Sequence, residues 1–310
     1  EDGHHDGPRL MDDRARAEQL LTLKICEPAM GSAAFLNEAI NQLAEKYLEL
    51  MQSALNERIP QHQYKNELQQ VKMYLADNCV FGIDLNPVAV ELAEVSLWLN
   101  ALSKDRFVPW FGLQLYCGNS LIGARREVFS SDQLNRKSGD DACWLNKAPK
   151  AVPMVTPRQT GQIWHFLLPD SGMAHYSDKE VKALYPNHIK AISTWRKTFT
   201  QPFNKTELQR LEKLSTKLEA LWQEHADSLA KQRKRTTDPY QIYGYQQTGN
   251  RTPLNFKDQV LAQELEAKGL ENTSAYRRLK LVMDYWCALW FWPIHAADDL
   301  PSREEWLFDL

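Results

Sequence analysis

Lys24-Ile25-Cys26-Glu27-Pro28-Ala29-Met30-Gly31-Ser32-Ala33-Ala34-Phe35 changes character twice within one short stretch. Leu23 to Cys26 is a brief strand-like run, broken by Pro28 and Gly31. From Ala34 onward the period becomes helical, with Phe35, Ala39, Leu43, Tyr47 and Leu50 recurring every three to four residues. Strand, small-residue turn and helix in this order let a ligand approach the backbone, where the helix start exposes free N–H groups. The same grammar repeats downstream. Cys79-Val80-Phe81-Gly82-Ile83 suits a buried parallel strand, and Asp84-Leu85-Asn86-Pro87 stops it and opens a helix to about Leu102. Leu113 to Cys117 gives a third strand, ended by Gly118-Asn119-Ser120. The crossovers are long enough for parallel pairing, so residues 22–124 read as the opening of a doubly wound α/β sheet.

Ligands of such sheets bind outside the carboxyl ends of the strands. Glu27 ends the first strand and suits a cationic or hydroxyl group. Asp84 ends the second, where a carboxylate can accept from both ribose hydroxyls. Asn119 follows the third, where an amide matches the donor–acceptor edge of adenine. Each feature has a plainer reading, since an Asp before Asn-Pro often caps a helix. Together, in order, they describe a nucleoside pocket.

Glu27-Pro28-Ala29-Met30-Gly31-Ser32-Ala33-Ala34-Phe35 resembles the first motif of N6-adenine-specific DNA methyltransferases, usually D-P-A-x-G-S-G-x-F. The stretch from Phe81 to Ala93, with Ser96-Leu97-Trp98-Leu99, is similar to the second, and Cys117-Gly118-Asn119-Ser120-Leu121-Ile122-Gly123 to the third. This resemblance implies a Rossmann-like class I fold, in part, and S-adenosylmethionine as cofactor. It places Glu27, Pro28, Ala29, Gly31, Ser32, Phe35, Asp84, Leu85, Asn119 and Ser120 around it. Phe166 to Met173, Trp195-Arg196-Lys197, Leu221-Trp222 and Arg277 to Pro293 look like the large methylases of restriction-modification and phage-defence systems, including the helicase-associated DISARM type. That implies double-stranded DNA as substrate and helicase or restriction subunits as partners.

Three departures stand out. Ala33 replaces a glycine, which restricts positive φ and narrows the space for a ligand. Asn119 replaces an aspartate. The family's catalytic motif, Asn/Asp-Pro-Pro-aromatic, needs consecutive prolines, and the 310 residues contain none. Asp238-Pro239-Tyr240 is one proline short, in a basic loop. No catalytic residue is therefore assigned. The expectation is a portion of a longer enzyme whose motif lies beyond Leu310, the alternative a non-catalytic DNA- or partner-binding subunit with a vestigial fold. The absence of a starting methionine accords with the former.

The expected organisation is a lead-in over 1–21, a cofactor half-domain over 22–124, and a mainly helical insertion facing DNA over 125–310. Residues 125–160 read as polar and turn-rich, Ile163 to Leu168 as a short strand, 205–235 as a long helix capped by Asn204 or Thr206, and 238–256 as loop.

Hydrophobic residues at 43% and charged residues at 25% exclude a disordered or fibrous chain. Five widely spaced cysteines without a Cys-x-x-Cys pair favour a reducing, cytoplasmic setting over secretion. No apolar run is long enough to span a bilayer, and the histidines lack zinc-ligand spacing, so neither a membrane nor a metal is expected. The net charge of −3 alone speaks against nucleic acid. It conceals −7 over residues 1–120 and +9 over 121–280, which points the second stretch toward a polyanion. Lys231, Arg233, Lys234, Arg235, Arg277 and Arg278 are the candidate phosphate contacts, although cations closing a helix also complement its dipole.

Overall fold

In the computed structural model, which describes residues 7–102, 108–154, 156–270 and 274–310, three short strands pair in parallel. They are β1 (Ile25–Glu27), β2 (Val80–Asp84) and β3 (Leu115–Cys117), in the order β1-β2-β3. Ile25 lies opposite Val80 and Gly82 opposite Leu115. Before them runs α1 (Gly7–Leu20); α2 (Ala34–Leu55) and α3 (Gln61–Asn78) make the first crossover, and α4 (Pro87–Ala101) makes the second. Leu36, Ile40, Ala44, Tyr47, Leu48, Leu50 and Met51 of α2 are buried at helical spacing; the helix is as expected, but the buried stripe lies about one residue on from the expected Phe35, Ala39 and Leu43, sharing Tyr47 and Leu50 with it. Phe35 itself is on the other side of that stripe, 77% exposed.

The chain divides into two compact units, Glu1–Leu121 with Lys231–Leu265 and Ile122–Ala230 with Glu266–Leu310. The second unit begins with β4 (Glu127–Ser130) and α5 (Ser131–Leu134), followed by β5 (Lys150–Ala151) and β6 (Gln162–Trp164). These strands form an antiparallel sheet in the order β5-β4-β6. Residues 125–160, read from sequence as turn-rich, thus include two strands, each too short to show a period. Of the expected strand at 163–168 only Ile163 and Trp164 are extended, and His165–Leu167 turns into a 3-10 helix.

Helices follow: α6 (Lys179–Leu184), α7 (Pro186–Phe199) and α8 (Lys205–Thr236). The start of α8 resolves the two candidate caps in favour of Asn204. Its side chain accepts the Glu207 N–H at 2.9 Å while the Glu207 carboxylate accepts the Asn204 N–H at 2.8 Å. The division between units falls inside α8. The hairpin β7 (Gln241–Ile242) and β8 (Tyr245–Gln246) and the helix α9 (Leu254–Leu270) follow, then α10 (Ala275–Ala288) and α11 (Arg303–Asp309).

Tryptophans dominate the core of the second unit. Trp144, Trp164 and Trp306 are buried, and the indole N–H groups of Trp144, Trp164, Trp195, Trp286, Trp292 and Trp306 each donate to a backbone carbonyl. A buried indole needs such a partner, so these rings are structural. No helix is long and apolar enough to cross a membrane, among the described residues.

Candidate functional site

The carboxyl ends of the three parallel strands are tied into one locus by backbone hydrogen bonds. Met30 N–H donates to the Ile83 carbonyl at 3.1 Å, and Gly118 N–H donates to the Asp84 carbonyl at 2.9 Å. The turns after β1 and β3 therefore flank the end of β2. Asp84 is the centre of this arrangement. One carboxylate oxygen accepts the Gly31 N–H at 2.9 Å and the other accepts the Asn86 N–H at 2.9 Å. These backbone donors, Asn86 first and Gly31 second, hold the Asp84 carboxyl below the usual carboxylate range. The group is ionised at neutral pH, fixed in orientation, and has acceptor capacity left over.

Asp84 does not cap α4. That role falls to Asn86, whose side chain accepts the Val88 N–H at 3.0 Å, with Pro87 in the first turn where its missing N–H is not needed. Asn119 is folded over its own turn, its side-chain oxygen accepting the Leu121 N–H at 2.9 Å. Among the described residues Glu27 makes only a long contact of 3.4 Å with the Ala29 N–H. Around these polar groups Pro28, Ala29, Ser32 and Ser120 are exposed, as are two large apolar side chains, Phe35 and Leu85 at 77% and 69%.

The turn after β1 closes with Ala33 N–H donating to the Met30 carbonyl at 2.8 Å. Gly31 adopts φ 53°, and an added Cβ there would meet nothing within 4 Å. Ala33 also adopts the left-handed conformation, at φ 64° and ψ 30°. The alanine expected to restrict this turn takes the glycine-like geometry all the same, at a cost of about 1–2 kcal/mol. No side chain caps the start of α2, so its first N–H groups are available to a polar ligand.

A protein of Methanocaldococcus jannaschii with the provisional name type II restriction enzyme and methyltransferase is 29% identical over 119 residues. The match covers 36% of this chain and 9% of the relative's length. No protein-family model matches the chain, and no solved structure matches it.

Asp238-Pro239-Tyr240 lies at the opposite edge of the parallel sheet. Asp238 and Tyr240 are buried with Asp77, which precedes β2, and Lys257 of α9. Lys257 Nζ donates to Asp238 at 2.7 Å with both side chains almost fully buried, and the other Asp238 oxygen accepts the Thr252 N–H at 2.7 Å. Tyr240 packs edge-on against Tyr74. Burial pushes the Asp77 carboxyl up, opposed by nearby Lys257 and by a hydrogen bond from the Trp110 N–H. The tripeptide is thus a structural clasp holding residues 231–265 to the amino ends of β2 and β3, away from Asp84.

The basic residues at 231–235 are similarly divided. Arg233 stacks over Phe81 at 5.2 Å and donates to the Asn78 carbonyl at 3.2 Å; Arg235 lies over Phe256 at 5.4 Å. Lys231 and Lys234 are exposed. In α10 Arg278 is exposed and Arg277 half-buried. Sequence reading passed over a clearer set. On α8, Glu207, Glu212 and Glu219 pair with Arg303, Arg158 and Arg126 brought from other elements. Arg210, Lys213 and Lys217, spaced on one outward face, are exposed and enter no ion pair among the described residues. The signal was present in part as charge periodicity, Arg210, Lys213 and Lys217 sharing one helical phase and Glu212 and Glu219 lying across the helix from them. Among the described residues no three His, Cys, Asp or Glu side chains gather as a metal site.

Proposed function

We propose that the first unit binds S-adenosylmethionine in a Rossmann-like fold and serves a DNA adenine-N6 methyltransferase of a restriction-modification or phage-defence system. The observation that carries this reading is Asp84. It is relieved of capping, ionised, and anchored by two backbone N–H groups at a strand end, beside a left-handed turn and exposed apolar side chains. A fixed anionic acceptor among apolar surfaces suits an adenosine, whose ribose presents two hydroxyl donors and whose base presents an apolar face. The likeness to a methyltransferase of the provisional name above supports the reaction class.

On this reading Asp84 accepts from the ribose hydroxyls, Phe35 and Leu85 flank the adenine, and Asn119 and Ser120 meet its polar edge. Gly31 and Ser32, with Pro28 and Ala29, shape the turn for the methionine portion, and Glu27 faces its ammonium group. The cofactor supplies a methyl group on a cationic sulfur, already activated for transfer, so the chain's task is to bind and orient. Residues 22–124 would be the cofactor half and most of 125–310 a DNA-facing insertion, with 231–265 returning to brace the cofactor half. Arg210, Lys213 and Lys217 would meet phosphates, with exposed Lys231, Lys234 and Arg278 as the alternative contacts.

Calorimetric titration of the folded chain with S-adenosylmethionine tests this. Saturable binding is expected, weakened tenfold or more by Asp84→Ala. No heat at millimolar cofactor would overturn it. A specific observation favours a second reading, a non-catalytic DNA- or partner-binding role: the one Asp-Pro-aromatic tripeptide is buried at the wrong edge of the sheet. Binding of cofactor without methyl transfer to duplex DNA by the complete reading frame would support that alternative.

A further inference from the structure

Met30 is fixed at three points. Its N–H donates to the Ile83 carbonyl of β2 at 3.1 Å, and its carbonyl accepts the Ala33 N–H at 2.8 Å. Its buried side chain lies over Gly82. A Cβ at Gly82 would overlap Met30 Sδ and stand 3.2 Å from both Met30 Cγ and Leu115 Cδ2. Gly82 is paired on one side with Glu27 and on the other with Leu115. A glycine inside a strand weakens it and commonly marks a close approach by another group. Here that group is the Met30 side chain, which fills the notch the glycine leaves.

Residues 82 and 84 share a face of β2, so the notch directly precedes the Asp84 carboxylate, about 7 Å along the strand. Gly31, the residue after Met30, gives its N–H to that carboxylate at 2.9 Å. The turn between them is strained: Gly31 and Ala33 both have positive φ, 53° and 64°, and Ala33 is fully buried. A left-handed conformation at a non-glycine persists only where the surroundings over-determine it. Met30, pinned by two backbone bonds and by its side chain in the notch, supplies that constraint. We propose that Met30 is a positioning residue, which pre-sets the left-handed turn so that the Gly31 N–H already orients the Asp84 carboxylate before a nucleoside arrives. The consequence for cofactor affinity rests on the ribose role proposed above for Asp84, since an acceptor fixed in advance need not be ordered on binding.

Native-state hydrogen exchange of the Gly31 N–H in the full chain reads the turn without any cofactor. Met30→Ala is expected to speed it tenfold or more beyond any change at the amides of α3, which lie outside the turn. A merely structural role would speed both alike. Met30→Leu, which still fills the notch, is expected to keep the wild-type rate. Gly82→Ala is expected to free the same N–H, and adding Met30→Ala to it should give less than the product of the two single effects, because peg and notch act as a pair. S-adenosylmethionine titration of the same variants is expected to show a tenfold or greater loss for Met30→Ala and none for Met30→Leu. The proposal fails if Gly31 exchange in Met30→Ala rises only as far as that of α3, if the two single effects multiply, or if Met30→Ala binds cofactor as wild type does. Wild type that gives no heat with cofactor, while Met30→Ala frees the Gly31 N–H, would overturn the cofactor reading and uphold the role of Met30.

Discussion

Gly31 and Gly82 make different demands on the same corner of the structure. At Gly31 the backbone is left-handed and the space beside it is open. Gly31→Ala therefore costs only the conformational strain, about 1–2 kcal/mol, and leaves the Asp84 contact in place because it uses the backbone N–H. At Gly82, in the middle of β2, an added Cβ would sit 2.1 Å from Met30 Sδ. Met30 is buried, so Gly82→Ala displaces a packed side chain, about 1–3 kcal/mol, and shifts the turn that positions Gly31. Urea unfolding of both variants, beside cofactor titration, reads the two effects: for Gly31→Ala a loss of stability confined to the strain, with weaker binding because the new methyl enters the open space beside the turn that the methionine portion would use, and for Gly82→Ala a loss of both through the displaced Met30. His165 gives a residue-scale effect of pH. Burial pushes its pKa from 6.5 down to about 4, with the ring held between the N–H and carbonyl of Arg125. The unfolded imidazole takes up a proton below pH 6.5 that the folded one refuses until about 4. Stability present above pH 6.5 is therefore lost as pH falls through this window, by about 3 kcal/mol at most. Denaturant unfolding at pH 7 and 5 is expected to show a larger drop for wild type than for His165→Gln. Equal drops would assign the acid sensitivity elsewhere.

Among the elements, those legible in the sequence were the ones whose signal is local. β2 announces itself as an unbroken apolar run ended by Asp84, and α8 by a long apolar stripe with Asn204 three residues before Glu207. Strands of two to four residues carry no period: β1 and β3 were legible from the apolar runs around them and the small-residue turns that end them, whereas β4, β5 and the β7–β8 hairpin lie in polar, turn-rich sequence that hid them. The hairpin was betrayed only by Gly244, whose φ of 75° serves the two-residue turn between Ile242 and Tyr245. The fate of Asp238-Pro239-Tyr240 was illegible for another reason. Its partner, Lys257, lies nineteen residues on in another element, and nothing in the local composition signals a buried ion pair. The clasp is testable as an element. Lys257→Met removes the cation and leaves Asp238 buried without it, which costs about 3–5 kcal/mol. The double change Lys257→Met with Asp238→Leu is expected to recover most of that loss in thermal unfolding. Cofactor binding per folded molecule should be unchanged by either, since the clasp lies at the edge of the sheet away from Asp84. A clasp variant that stayed fully stable but lost cofactor would place this tripeptide in the ligand site after all.

At the scale of the whole molecule the charge asymmetry takes a different form. Counted along the chain, the middle carries +9, but the packing moves Lys231–Leu265 into the first unit. The first unit then holds 16 basic and 20 acidic residues, net −4, and the second 21 and 20, net +1. Neither unit has a strong positive field to draw DNA from a distance. What the second unit does have is local separation on α8, where its acids are spent on arginines beneath and Arg210, Lys213 and Lys217 face outward. If the proposed DNA contact runs through this face, affinity depends on few phosphates. Each neutralised phosphate contributes about 0.9 to the slope of log affinity against log salt. Three contacts then give about 2.7, a shallow dependence compared with that of a basic groove. Filter binding of a duplex from 50 to 200 mM salt is expected to show a slope near 3 that collapses toward zero in the triple variant Arg210→Gln, Lys213→Gln, Lys217→Gln. A slope that survives the triple variant would move the contact to Lys231, Lys234 and Arg278, and the absence of any salt-dependent duplex binding would remove DNA from the proposed function.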